Sequence, residues 1–381
     1  MTIYFIAVFG FYFLLLMALW FGWRIASRSK INSATKNIFI SVVIAMRNEK
    51  ENLESLFGSL SALNYDSADF EIILVDDHST DGSGEETKKW LSQFSSLIVG
   101  SLKENQTGKK AALAYGISLA KGEVIATTDA DCMVPSNWLG QINNGFQDEM
   151  IQMLIGTVAL QNKDRFFAQL QSIEFGSVIG TGVATCALGK PTMCNGANLS
   201  FRRKIFDQVK GYEGNEHVAS GDDEFLMRKI QERYPGSIRV LNPTQSVVIT
   251  QPQNSWNNFL HQRLRWASKW RVNSSTSARI LAVFIFLLQA SWLLLIIYSI
   301  NLQSVFAIGL LALKVLADLV VLSTVCRSLN MSFNPLAFVV LQFLYPVYVL
   351  YTGIFSQVKN HQWKGRPLQT AISANKKYPL V

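Results

Sequence analysis

Asp129 and Asp131 stand one residue apart, directly after the apolar run Val124-Ile125-Ala126. If that run is a strand, period-two alternation sends both carboxylates out of its C-terminal end in the same direction. Two such carboxylates can share one hard divalent cation, Mg2+ or Mn2+, which is commonly held by one or two carboxylates together with substrate phosphates. The pair reads as a metal–diphosphate site. Its neighbours must then supply a nucleotide pocket, a base, and a reason for the apolar segments around it.

Further polar clusters fall at the ends of other predicted strands. The β-branched run 38–46 ends at Arg47-Asn48-Glu49, and the run 70–75 ends at Asp76-Asp77. Gly108-Lys109-Lys110 opens a helix running to about Ala120. Each has a plainer reading, since Asp77, Ser79 or Asp81 could cap a helix and the two lysines could form a solvated face. The set in order weighs against those readings. Downstream, Gly221-Asp222-Asp223-Glu224 starts another helix, with more acid than the helix dipole asks for. Residues 258–271 form a basic amphipathic helix on which Gln262, Arg265, Trp266 and Lys269 share a face. Its other face reads as a membrane-surface helix.

The elements that must position these groups alternate strand and helix over 38–127, the pattern of a doubly wound α/β sheet. Ligands in such sheets bind outside the carboxyl ends of the strands, where the polar clusters fall. Residues 153–160 add a further predicted strand. Residues 165–187 contain Gly176, Gly180 and Gly182, with Gly189 just beyond, and are expected as an interfacial amphipathic helix running into an apolar loop.

Apolar residues make up 49% of the 381 and charged residues 16%, well below the roughly 25% charge of soluble domains. Residues 3–23 carry no charge and are long enough to span a bilayer. The basic residues Arg24, Arg28 and Lys30 follow that run, unlike the order in a signal peptide. They place the N-terminus outside and the next domain in the cytoplasm. Three more apolar segments lie at 281–300, 305–325 and 333–355. The second holds Lys314 and Asp318 on one helix face, read as an internal pair or as a contact with an acceptor headgroup or diphosphate. The third contains Pro346. The tail carries Lys359, Lys364, Arg366, Lys376 and Lys377, which the positive-inside rule wants in the cytoplasm. Three full spans after an inside domain would put it outside, so either the last segment is a Pro-broken re-entrant hairpin or the tail breaks the rule. The reading divides the chain into 1–24, a transmembrane helix; 25–275, the catalytic domain; 276–358, membrane segments; and 359–381, a basic tail.

The net charge of +8 is scattered, without a nucleic-acid module, which argues against a nucleic-acid partner. Cys132, Cys186, Cys194 and Cys326 form no CxxC pair, so zinc and a disulfide framework are not expected.

The segments SVVIAMRNE, ILVDDHSTDGS, TGKKAALAYGI, TTDADCMVPSNWL, SGDDEFL and QRLRW follow one another across about 38–272. In that order they resemble a membrane-anchored family 2 glycosyltransferase of the GT-A fold, the group of the cellulose, hyaluronan and poly-N-acetylglucosamine synthases and of ceramide glucosyltransferase. Gln362-Trp363-Lys364-Gly365-Arg366 also resembles the end of some members. The resemblance implies that Ala45, Arg47, Glu49, Asp76 and Asp77 line the nucleotide, with Lys109 near its base or diphosphate. Asp129 and Asp131 would be the metal pair, with Asp131 the direct ligand. Asp223, beside Asp222, would be the catalytic base. Gln262, Arg265 and Trp266 would stand by the diphosphate and the acceptor, as would Asn195 and Gly196. Two departures stand out: Asp222 replaces a common Glu, and Cys194-Asn195-Gly196-Ala197-Asn198 replaces a Gly-rich acceptor turn.

The implied activity is inverting transfer from a nucleotide diphosphate sugar, with UDP as the expected nucleotide, to a lipid or lipid-linked acceptor. The implied setting is a multi-pass protein of the bacterial inner membrane with its catalytic domain in the cytoplasm. A processive polysaccharide synthase is the alternative, with Trp266 stacking on an acceptor sugar; about four spans offer little wall for a polymer channel. A third reading is an inactive nucleotide-sugar-binding scaffold. It predicts loss of the base or of the metal pair, and both are present.

Overall fold

The computed structural model describes residues 1–28, 34, 36–214, 221–268, 276–356, 362–363 and 366–367. Up to residue 250 its strands are β1 (Ile40–Met46), β2 (Phe70–Asp76), β3 (Leu97–Ser101), β4 (Val124–Asp129), β5 (Met153–Ile155), β6 (Val158–Leu160), β7 (Leu199–Arg202), β8 (Ile238–Val240) and β9 (Val248–Thr250), and the short strands Gln362–Trp363 and Arg366–Pro367 pair near the end of the described residues. Seven of them form one sheet in the order β3-β2-β1-β4-β7-β5-β8. β1 to β4 run parallel, and β7 is antiparallel to both its neighbours. The sheet is the mixed α/β sheet expected of the GT-A fold. β6 and β9 pair in a second, two-stranded sheet.

β1 shows why an unbroken β-branched run becomes a central strand. Its alternate side chains enter two separate cores: Ile40, Val42 and Ile44 pack on one face of the sheet and Val43 on the other, all fully buried. The helices α2 (Leu53–Ser61), α3 (Ser83–Thr87) and α5 (Trp138–Gly145), with α4 (Lys109–Leu119), α7 (Arg203–Gln208) and α8 (Asp222–Arg233), belong to this layer. Leu53, Leu56, Phe57 and Leu60 of α2 close the first core; Ala112, Leu113 and Ile117 of α4 close the second.

The remaining helices are α1 (Thr2–Arg28), α6 (Phe166–Ala187), α9 (Trp256–Ser268), α10 (Thr276–Leu302), α11 (Val305–Ser328) and α12 (Pro335–Phe355). Among the described residues, four helices are long and apolar enough to cross a membrane: 2–28, 279–302, 305–328 and 335–355. Lys314 and Asp318 form an internal pair at 2.8 Å within them.

Three expectations are corrected here. Residues 153–160 are two strands in different sheets. The chain breaks at Gly156, where a Cβ would meet the Asn198 side chain at 2.2 Å. Asn198 holds that crossing by donating to the carbonyls of Thr157 (2.8 Å) and Ser246 (2.6 Å) and accepting from Trp138 Nε1 (2.9 Å). Residues 166–187 are one continuous and mostly buried helix, not an interfacial helix giving way to a loop. Its glycines mark close packing: a Cβ at Gly176 would lie 2.9 Å from Cys326 Sγ, and Gly22 of α1 passes so close to Ala184 that a Cβ would reach its carbonyl oxygen at 2.5 Å. Finally, α12 runs through Pro346 without a break, so the segment is no hairpin. A proline costs such a helix one hydrogen bond, which neighbouring helices can absorb. Most of the basic tail lies outside the described residues, as does the end of the basic helix beyond Ser268.

Candidate active site

The polar strand ends converge where the order of the sheet reverses, between β1 and β4. Ala45 of β1 lies in register with Asp129 of β4, and Met46 with Asp76 of β2. β1 and β2 each lead into a residue with left-handed backbone, Asn48 and His78, both at φ 53°. Asn and His adopt this conformation more readily than most side chains. Asn48 Oδ1 offsets the cost by accepting from the Thr80 amide at 2.8 Å. Arg47 Nη1 donates to the carbonyls of Asp77 (2.6 Å) and His78 (2.8 Å), which ties the two strand ends together. Its Nε is buried without a hydrogen-bond partner among the described residues.

Asp77 is fully buried, and its Oδ2 accepts the Gly108 amide at 3.0 Å, bracing the start of α4. That helix start delivers Lys109, whose Nζ donates to Asp129 Oδ1 at 2.6 Å. Burial opposes the Lys109 charge, but Asp129, Asp222 and Asp223 outweigh it and hold the ammonium well above the ordinary lysine value.

On the opposite side, α8 begins at Asp222 and brings its acids against the turn before β7. The Gly196 amide donates to Asp223 Oδ2 at 3.0 Å, and the Glu224 amide to Oδ1 at 2.8 Å. Gly196 is fixed in turn because its carbonyl accepts from Thr127 Oγ1 at 2.7 Å. Asn195 caps the turn by accepting from the Ala197 amide. Arg265 on α9 feels Asp222, Asp129 and Asp223 together. Burial and the nearby Arg263 still leave its guanidinium below the ordinary arginine value.

These groups line one cavity of about 790 Å³. Ala45, Arg47, Glu49, Lys109, Asp129 and Asp131 line it, together with Asn195, Gly196, Asp222, Asp223, Gln262, Arg265 and Trp266. Asp76 and Asp77, which the resemblance also implied, do not line it. Asp76 instead accepts from Ser79, and Asp77 braces α4. The cavity extends along α6, past Phe175 and Ile179, to Tyr348 of α12.

Sequence reasoning passed over Glu174, Arg263 and Tyr348. Arg263 Nε donates to Glu174 Oε1 at 2.9 Å and Nη2 to Oε2, with both side chains 4% exposed. The Arg263 guanidinium lies 4.3 Å from the Trp266 ring and 4.6 Å from that of Phe259. Burial opposes its charge, and Glu174 more than restores it. The signal was present in QRLRW, where a second arginine stands beside the motif glutamine.

Among the described residues no three His, Cys, Asp or Glu side chains gather to hold a metal. Asp129 and Asp131 both line the cavity, the first engaged by Lys109, and two such carboxylates would fit an ion that completes its shell with substrate phosphates.

The Glycosyl transferase family 2 model matches residues 41–210. A β-monoglucosyldiacylglycerol synthase of Nostoc sp. is 28% identical over 231 residues, covering 60% of this chain and 48% of the relative. A poly-β-1,6-N-acetyl-D-glucosamine synthase of Staphylococcus aureus is 31% identical over 142 residues, 37% of this chain and 34% of the relative. The chain thus spans about half the length, or less, of these curated relatives. The mannosyltransferase PcManGT of Pyrobaculum calidifontis, solved with GDP-Man and Mn2+, shares the fold with a TM-score of 0.58 at 18% identity, covering 94% of this chain and 99% of that one.

Proposed function

We infer that this chain, which carries a family 2 glycosyl transferase domain, moves a sugar from a nucleotide diphosphate sugar to a hydroxyl of a lipid or lipid-linked acceptor. One observation carries the reading. A single cavity joins the Lys109–Asp129–Asp131 wall to Asp223 and Arg265, and continues to Tyr348 on a helix apolar enough to cross a membrane.

In this reading the nucleotide lies over the strand ends, where Arg47 Nε offers its unused donor. The sugar projects toward Asp223, whose carboxylate is aimed by the amides of Gly196 and Glu224. Asp223 takes the proton from the acceptor hydroxyl as that oxygen attacks the anomeric carbon. The bond to the diphosphate breaks in the same displacement, so the product is inverted at that carbon. Arg265 and Lys109 face the leaving diphosphate, and a planar five-donor guanidinium suits its oxygens. Asp131, with Asp129, would hold a divalent ion, Mg2+ or Mn2+. When bound, such an ion neutralises charge on the leaving group. The GDP-Man and Mn2+ bound in the mannosyltransferase structure support this donor chemistry, and the name of the glucolipid synthase supports a lipid acceptor.

A processive polysaccharide synthase is the second reading, favoured by the name of the poly-N-acetylglucosamine synthase relative. The Trp266 ring that would stack on a polymer already carries Arg263 over it. We therefore prefer the lipid.

The experiment is to incubate membranes bearing the protein with labelled UDP-glucose, UDP-N-acetylglucosamine and GDP-mannose. The reading expects metal-dependent label in the organic phase from one of them. Label only in insoluble polymer would favour the second reading, and label in neither would contradict both. A product with the anomeric configuration retained would contradict direct displacement.

A further inference from the structure

Arg263 is held by groups from two helices, and a third helix reaches its partner Glu174. Glu174 on α6 takes its Nε and Nη2, and Gln262, its neighbour on α9, accepts from Nη1 through Oε1. Tyr348 on α12 donates to Glu174 Oε1 at 3.3 Å. The ring of Trp266 lies against the guanidinium.

Gln262 lines the cavity one helical turn from Trp266 and three residues before Arg265. An amide carries one acceptor oxygen and two N–H donors on opposite sides. With Arg263 occupying the oxygen, the N–H donors are left for whatever else reaches Gln262. That polarity suits an anionic diphosphate. Without Arg263 the amide is free to turn and present its oxygen to the anion, which repels it.

We propose that the Arg263–Glu174 pair, capped by Tyr348, is a positioning device that fixes the Gln262 amide with its donors toward the leaving diphosphate and sets α9 against α6. This rests on the reading of the cavity as the donor site. Arg263 acts through Gln262 and touches no reacting atom. A pair that only joined helices could be replaced by apolar side chains of similar volume at little cost in stability. A positioning pair replaced in the same way leaves a folded protein with a misdirected amide.

The test uses the full chain in detergent or lipid nanodiscs, with UDP as the binding probe and the donor turned over by the wild type. Glu174→Leu with Arg263→Met is the first variant. The proposal expects it to fold, to bind UDP roughly tenfold more weakly, the scale of one lost hydrogen bond to a charged group, and to lose roughly 100-fold in kcat, the scale of a misplaced group. Gln262→Met, which leaves the pair intact, should show the same split and serves if the double variant does not fold. Wild-type kcat in either variant overturns the proposal, as does loss of UDP binding in step with kcat in a folded protein. A wild-type protein that binds no nucleotide would instead overturn the reading of the cavity.

Discussion

Two buried ion pairs in this chain are built from the same parts and stand in different places. Arg263–Glu174 has a glutamine acceptor in Gln262, a tryptophan face in Trp266 and a tyrosine donor in Tyr348. Lys314–Asp318 has Gln342 accepting from Lys314 at 2.7 Å, the Trp292 ring 4.4 Å from the ammonium, and Tyr12 donating to Asp318. Trp292 Nε1 also donates to the Gln342 carbonyl at 2.8 Å, so this second network joins α1, α10, α11 and α12. The first pair lines the cavity that holds Asp223, and the second does not. One solution for burying a charge thus serves two purposes. Among the long apolar helices it ties α1, α10, α11 and α12 together, and at the cavity wall, on the proposal above, it also orients Gln262.

The cation type follows the difference. Lysine, a compact point charge, is enough to bind one carboxylate and one amide across helices. Arginine's fork holds Glu174 in bidentate fashion and still has a donor for Gln262.

The comparison can be broken at several points. Of these the largest effect is expected from Arg265→Ala, which on the proposed reading removes a contact with the leaving diphosphate and should lower kcat roughly 100- to 1,000-fold, the range for losing one transition-state donor. A smaller loss there, measured as single-turnover transfer, would shift weight from α9 to the strand ends. Next comes Glu174→Ala, which strands the Arg263 charge. It should destabilise by about 3–5 kcal/mol, read as a fall in the denaturation midpoint. Removing both charges of the other pair, Lys314→Met with Asp318→Leu, should change stability by no more than about 1 kcal/mol and leave kcat per folded molecule at wild type. A turnover defect in that variant would abolish the distinction between the two pairs.

The smallest effect concerns pH. Lys109 is held above its ordinary value, so its pairing energy is fully present below the unfolded value and is lost only as pH rises through the higher folded one. UDP affinity should therefore show no break from Lys109 up to about pH 10, near the ordinary lysine value. A titration of affinity with a lysine-like break near pH 9 would contradict the pairing.

Legibility divides along the same line. Asp129, Asp131, Asp76, Asp77 and Arg47 could be read because each ends a strand within a short local pattern, and the structure sets those ends side by side. The pattern did not say which of them face the cavity; Asp77 turned inward to brace Gly108 because of a contact 31 residues away. Glu174 and Arg263 were illegible for the same reason on a larger scale, being 89 positions apart. The glycines of α6 misled because a glycine read alone suggests a broken helix. Their partners, Cys326 and Val325 on α11 and Met193 just beyond α6, are set by tertiary packing. Strand β7 was missed because four residues beside a turn carry little periodicity, and its place in the sheet depends on pairing with β4 and β5.

The claim at the centre is that Asp223 removes the acceptor proton in a cavity that binds the donor without it. Asp223→Asn keeps the shape and tests this most directly, with UDP binding and sugar transfer measured on the same preparation. The account predicts UDP affinity within about threefold of wild type and transfer reduced by roughly 100- to 10,000-fold, the range for losing a general base. Transfer near the wild-type rate, or UDP binding lost with it, would contradict the assignment.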